Sequence, residues 1–348
     1  MSVTTIKPRL FALYALLLTA NAAVLCWAFV LVSDDIVKLG TAMLAYSLGL
    51  RHAVDADHIA AIDNVTRKLM QDGKRPIAVG FFFAAGHSTI VLIAAVGIAF
   101  TVGALAQFEA FSRIGGVVAT VTSAVFLFVI AAMNLVIFRS VWSRFRHVRA
   151  GGTVAADDLD ILLSGRGPLS RLFRPLFGLI RHSWQMAPLG FLFGLGFDTA
   201  TEVTLLGLAG AQASYGLSMS TILVFPALFA AGMALIDTTD GVLMLGAYEW
   251  AFIKPIRKLY YNMIITALSA AVAIVIGGIE TTALIANKLE LEGGGWATAK
   301  ALAENFNALG FAIVGLFAAA WAISYVVYRW KRFDEIESNG TAAAVPID

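Results

Sequence analysis

His52, Asp55, Asp57 and His58 crowd into the stretch Arg51-His-Ala-Val-Asp-Ala-Asp-His-Ile59. Imidazole nitrogens and carboxylate oxygens at such spacing suit divalent first-row cations, and the lack of thiolate argues against copper(I). Three further segments carry the same residue types: Phe83-Ala-Ala-Gly-His-Ser-Thr-Ile90, with His87, Ser88 and Thr89; Leu195-Gly-Phe-Asp-Thr-Ala-Thr-Glu-Val203, with Asp198, Thr201 and Glu202; and Gly232-Met-Ala-Leu-Ile-Asp-Thr-Thr-Asp-Gly241, with Asp237 and Asp240. All four lie in stretches otherwise apolar enough to enter a bilayer. Ionisable groups at that depth are costly and mark functional sites by default. The same groups also relay protons, which is the rival chemistry.

The elements that must position these residues are membrane helices. The chain is 59% hydrophobic and 14% charged, with a mean hydropathy of +0.81, far from the composition of a soluble domain. Runs over 10–32, 114–138, 259–279 and 306–328 are uncharged and long enough to cross about 30 Å of hydrocarbon. Four more, over 40–66, 77–104, 186–211 and 217–247, carry the ionisable motifs. The expected fold is therefore an all-α polytopic membrane protein of eight transmembrane helices forming a single domain over 1–348.

Loop charge orients it, because short cytoplasmic loops collect Lys and Arg. With the amino terminus inside, Lys7, Arg9, Arg67, Lys68, Lys74, Arg75, the basic 139–185 connection, Lys254, Arg257, Lys258, Arg329, Lys331 and Arg332 all fall on the cytoplasmic side. Opposite them stand Lys38, Arg113, Lys288 and Lys300, among acidic residues that include Asp34, Asp35 and Glu280. Both termini are expected in the cytoplasm. The net charge of +2 is a topology signal and implies no nucleic-acid partner.

The first span follows Lys7 and Arg9 like a signal peptide, but its length favours an uncleaved helix. Cys26 within it is the single cysteine, which excludes an intramolecular disulfide. The 139–185 connection reads as a cytoplasmic loop ending in an interfacial segment, with His147 and His182 solvated. Residues 334–348 read as a disordered tail.

On a continuous second helix, His52, Asp55 and His58 fall on one stripe at spacings of three. They become candidate metal ligands, with His87 from the third span. Arg51, Asp57, Asn64, Ser88, Thr89, Asp198, Thr201, Glu202, Asp237 and Asp240 are candidates for orienting partners or the ion pathway. The structural alternative is an Arg51–Asp55 ion pair and two histidines that tie helices together. Depth favours the metal reading, since His52, His87, Asp198 and Asp237 all lie near the centres of their spans. The ligand set leaves nickel, cobalt, zinc and manganese open.

The four motifs, in this order and spacing, resemble the nickel/cobalt transporter family of secondary metal permeases, over nearly the whole chain. The resemblance implies high-affinity import of nickel(II), cobalt(II) or both across the inner membrane of a bacterium. It also implies that His52, Asp55, Asp57 and His58 are essential and bear on selectivity. Nickel or cobalt would be the substrate, with no cofactor. No phosphate-binding Gly-x-x-x-x-Gly-Lys-Ser/Thr loop occurs, so no ATPase partner is expected. Export of the same metals and proton-coupled transport of an organic solute are the alternatives. An intramembrane hydrolase is disfavoured because no His-Glu-x-x-His occurs.

Overall fold

The computed structural model describes residues 6–100, 105–149, 180–195, 205, 218–251 and 255–330. Among them every regular element is helical: α1 (Ile6–Val32), α2 (Ile36–His52), α3 (Ala56–Gln71), α4 (Val79–Phe100), α5 (Leu105–Arg149), α6 (Met186–Phe193), α7 (Met219–Ala251), α8 (Pro255–Lys288), α9 (Gly294–Glu304) and α10 (Phe306–Trp330). Six helices are long and apolar enough to cross a membrane: within α1, α4, α5, α7, α8 and α10. These coincide with six of the expected spans. The 186–211 span is described only over 186–195, where it begins as α6, and at 205.

The expected helix over 40–66 is instead two helices. Asp35 begins α2 by accepting from the backbone N–H groups of Val37 at 2.9 Å and Lys38 at 3.3 Å. Those amides, Lys38 first and then Val37, hold its carboxyl below the ordinary carboxylate range. The helix runs to His52, where Val54 N–H donates to Arg51 O and Asp55 N–H to His52 O, a tighter turn than the α-helix. Asp55 then turns extended, at φ −65° and ψ 146°, and becomes the N-cap position of α3. No proline or glycine causes this break. Aspartate disfavours helix interiors and favours N-caps, and Asp57 in the first turn complements the helix dipole. Broken helices occur at membrane depth where they line a protein-enclosed site.

The helices carrying the motifs form the interior. Gly49 packs on the Phe229 backbone and Gly241 beside Ile62, so α2–α3 and α7 run in parallel. A Cβ on Gly80 of α4 would sit 1.9 Å from the Asp237 carbonyl. Only glycine permits that approach, which brings α4 against the carboxylate-bearing turn of α7. Around this interior, only 22% of the α1 span and 17% of the α10 span is buried, against 56% for α4 and α8. Exposed Phe11, Phe29, Phe311 and Ile323 on the outer helices are the side chains a lipid phase would cover.

Two loop assignments read from charge are corrected here. Arg67 and Lys68 are not loop residues but buried positions in α3, 1% and 7% exposed. Glu280, placed outside by the charge pattern, is buried in α8 and accepts from Ser123 Oγ of α5 at 2.8 Å. Charge alone fails at Arg67 and Glu280 because each has a polar partner on another helix, and at Lys68 because it donates to the Ile180 carbonyl and pairs with Asp72. Cys26 is exposed on α1.

Candidate metal site

The break in the second span places His52 on the last turn of α2 and His58 on the first of α3. Both imidazoles point into a buried space shared with His87 of α4. Their ring centroids lie 4.7 to 5.0 Å apart, and one ligand nitrogen from each falls within 4.8 Å of the others. All three are at most 3% exposed. Phe83 meets His58 edge-on at 4.8 Å and Phe229 lies 5.4 Å from His52, closing the site with apolar walls.

Each of the two motif histidines is held from behind by a carboxylate. His52 Nδ1 lies 2.8 Å from Asp55 Oδ2, and His58 Nδ1 lies 3.3 Å from both oxygens of Asp237. A neutral imidazole that donates its Nδ1–H to a carboxylate keeps Nε2 as a lone pair. His52 Nε2 faces His87 Nε2 at 3.1 Å. His58 Nε2 is buried without a hydrogen-bond partner among the described residues. Carboxylate–histidine pairs of this form orient metal-bound histidines and raise their basicity.

The geometry therefore sorts the candidates. His52, His58 and His87 converge, while Asp55 orients His52 rather than reaching the centre itself. Arg51 is exposed, and Asp55 pairs with His52 rather than forming the alternative Arg51–Asp55 ion pair. Asp57 is half-buried in the first turn of α3. Asp237 lies against His58 Nδ1. Asp240, one turn further along α7, is buried with Oδ2 unpartnered among the described residues. Ser88 is buried beside His87, but Thr89 is exposed and returns its hydroxyl to Ala85 O at 2.7 Å, so it faces away. Asp198, Thr201 and Glu202 lie outside the described residues.

Residues 38–327 match the sequence family described as high-affinity nickel-transport protein. The chain belongs to this family. It is 56% identical over 332 residues to the high-affinity nickel transport protein of Cupriavidus necator, covering 95% of each chain. It is 46% identical over 302 residues to the nickel transporter NixA of Staphylococcus aureus, covering 86% of this chain and 88% of that one. The cobalt transport protein NhlF of Rhodococcus rhodochrous is 43% identical over 286 residues, 81% of this chain and 80% of that one. No solved structure matches. The family is one of transporters and not of enzymes.

A second polar cluster in this member of the nickel-transport family was not singled out from the sequence. Asp63 of α3 accepts from Tyr248 Oη and, at 2.9 Å, from Ser269 Oγ. Arg67 donates to Thr266 Oγ1 and Asn64 Oδ1, each at 3.1 Å, and Asn134 Nδ2 donates to the same Asn64 oxygen at 2.7 Å. Asn64, a candidate orienting or ion-pathway residue, bonds within this network. It lies further along α3 and ties α3 to α5, α7 and α8. The signal was present: Asp63, Asn64 and Arg67 recur at helical spacing, but adjacent Lys68 made the run look like a loop boundary.

Proposed function

We propose that this protein carries nickel(II), with cobalt(II) as the related substrate, into the cytoplasm through the site formed by His52, His58 and His87. The observation that carries this reading is the pair of carboxylate–imidazole bonds, Asp55 to His52 and Asp237 to His58, which direct Nε2 lone pairs at one buried point. Three neutral imidazoles in an apolar enclosure suit a borderline divalent cation. The names of the relatives add nickel and cobalt to that chemistry.

In this reading a hydrated ion enters from outside, exchanges part of its water for the three nitrogens, and leaves toward the cytoplasm past Asp240. Asp55 and Asp237 keep the imidazoles oriented and balance the charge of the ion. Asp57, Asp198, Thr201 and Glu202 are assigned to the pathway or to orientation. Two positive charges moving down an interior-negative potential release about 4–5 kcal/mol per 100 mV, enough to sustain accumulation without ATP. Eight spans, both termini inside, and the cytoplasmic membrane complete the proposal. The parallel course of α2–α3 and α7 agrees with it, since the second and sixth of eight alternating spans run the same way.

The test is initial-rate uptake of radiolabelled nickel at trace concentration by cells lacking their own importers, with unlabelled cobalt, zinc and manganese as competitors. Saturable uptake displaced best by nickel or cobalt is the expected result. Expression in the membrane without uptake would overturn import.

A further inference from the structure

The break between α2 and α3 is braced by a segment outside all four motifs. Arg51 O, which an unbroken helix would pair with the amide of Asp55, instead accepts from Asn307 Nδ2 at 2.7 Å and from the Val54 amide at 3.1 Å. Asn307 stands in the first turn of α10. One turn on, Gly310 packs directly on the break: a Cβ there would lie 1.5 Å from Val54 O and 3.3 Å from the Asp55 carbonyl carbon. That neighbour is backbone, so any side chain at 310 must displace the turn that carries Asp55. Asp55 in turn holds His52 Nδ1 at 2.8 Å.

We infer that Asn307 and Gly310 are positioning residues for metal selection, fixing the distance between His52 and His58 from the far side of the broken helix. The inference rests on the trihistidine reading of the site. The two histidines stand on different helices, so their separation is set by the turn between them and by whatever holds that turn. Without Asn307 the Arg51 carbonyl keeps only the Val54 amide, so the turn loses its tie to α10. A metal site loosened by a fraction of an ångström loses affinity and discrimination together.

Asn307→Asp is the informative variant. It preserves size, removes the donor to Arg51 O, and places an acid in the first turn of α10, where the helix dipole favours it. A residue serving only the stability of α10 would tolerate this change. The expected result is a rise of about fivefold in KM for nickel, the equivalent of one hydrogen bond. Membrane abundance and the thermal midpoint in detergent should stay at wild-type values, and the ratio of nickel to cobalt uptake should change. Gly310→Ala should act in the same direction and more strongly; if it fails to accumulate, Asn307→Asp decides. An unchanged KM and metal ratio in Asn307→Asp would overturn the inference. His58→Ala, measured alongside, separates the two levels. If it loses uptake while Asn307→Asp is normal, only the brace is wrong; if His58→Ala transports normally, the site reading has failed and the brace with it.

Discussion

Two buried polar clusters share α3, and they are built on opposite principles. Around His58 the imidazoles crowd together with their outer nitrogens on Asp55 and Asp237 and an Nε2 left without a protein partner. Around Asp63, about a turn and a half away, both carboxylate oxygens accept hydroxyl donors and Arg67 spans from Asn64 to Thr266. Hydrogen bonds that tie Asp63, Asn64 and Arg67 to three other helices rigidify those helices even with Arg67 Nε unpartnered among the described residues, whereas three imidazoles converging on one buried point can take a cation. Burial of ionisable residues in a membrane helix therefore does not by itself make a cation site; the convergence of ligand nitrogens is what distinguishes the proposed one.

The comparison breaks most clearly at His58. His58→Ala should reduce nickel uptake to background while membrane abundance stays near wild type, because a ligand is lost and little of the packing changes. Normal uptake would remove His58 from the coordination sphere. Asp237→Asn should be milder, lowering metal affinity by about 10- to 100-fold as loss of an outer-shell partner does, seen as a raised KM at unchanged abundance. Loss of folded protein in that variant would move Asp237 into the structural cluster.

Arg67→Ala should show the reverse profile. It removes the hydrogen bonds to Thr266 and Asn64 and leaves buried polar groups short of a donor, a loss of about 1–3 kcal/mol per group. The thermal midpoint in detergent and the membrane abundance should therefore fall, with KM for nickel near normal in the molecules that remain. Adding Asp63→Asn should restore part of the stability, a coupling that a double-mutant cycle measures. A wild-type midpoint with a large KM change would place Arg67 on the ion path.

The smallest effect is that of pH. A protonated imidazole cannot bind metal, so acidification should raise the KM for nickel, because each proton bound at the cluster removes a ligand. The Asp63 network contains no histidine. Thermal stability of the metal-free protein should change less than KM over the same interval, and parallel changes would erase the distinction between the clusters.

Much of this was legible in the residues. Six spans were readable because an apolar run of membrane length has one stable fate in hydrocarbon. The second span was misread in detail, since His52, Asp55 and His58 at spacings of three look like one helical stripe. The tendency of Asp55 to begin a helix was visible in its type, yet the contacts that Asn307 and Gly310 of α10 make with the break were not. Thr89 shows the converse: its motif context suggested a role, but its rotation around α4 turns it outward.

The sequence by itself determined the membrane class, the identity of the donor atoms and the family, because these depend on composition, residue chemistry and the order of motifs. Only the tertiary structure decided that the three histidines meet, that Asp55 and Asp237 orient them, and that Arg67 is a buried strut rather than a loop charge. A nitrogen becomes a ligand or a hydrogen-bond donor according to what its neighbour on another helix presents. That neighbour is set by packing across the bundle, and a linear spacing does not contain it.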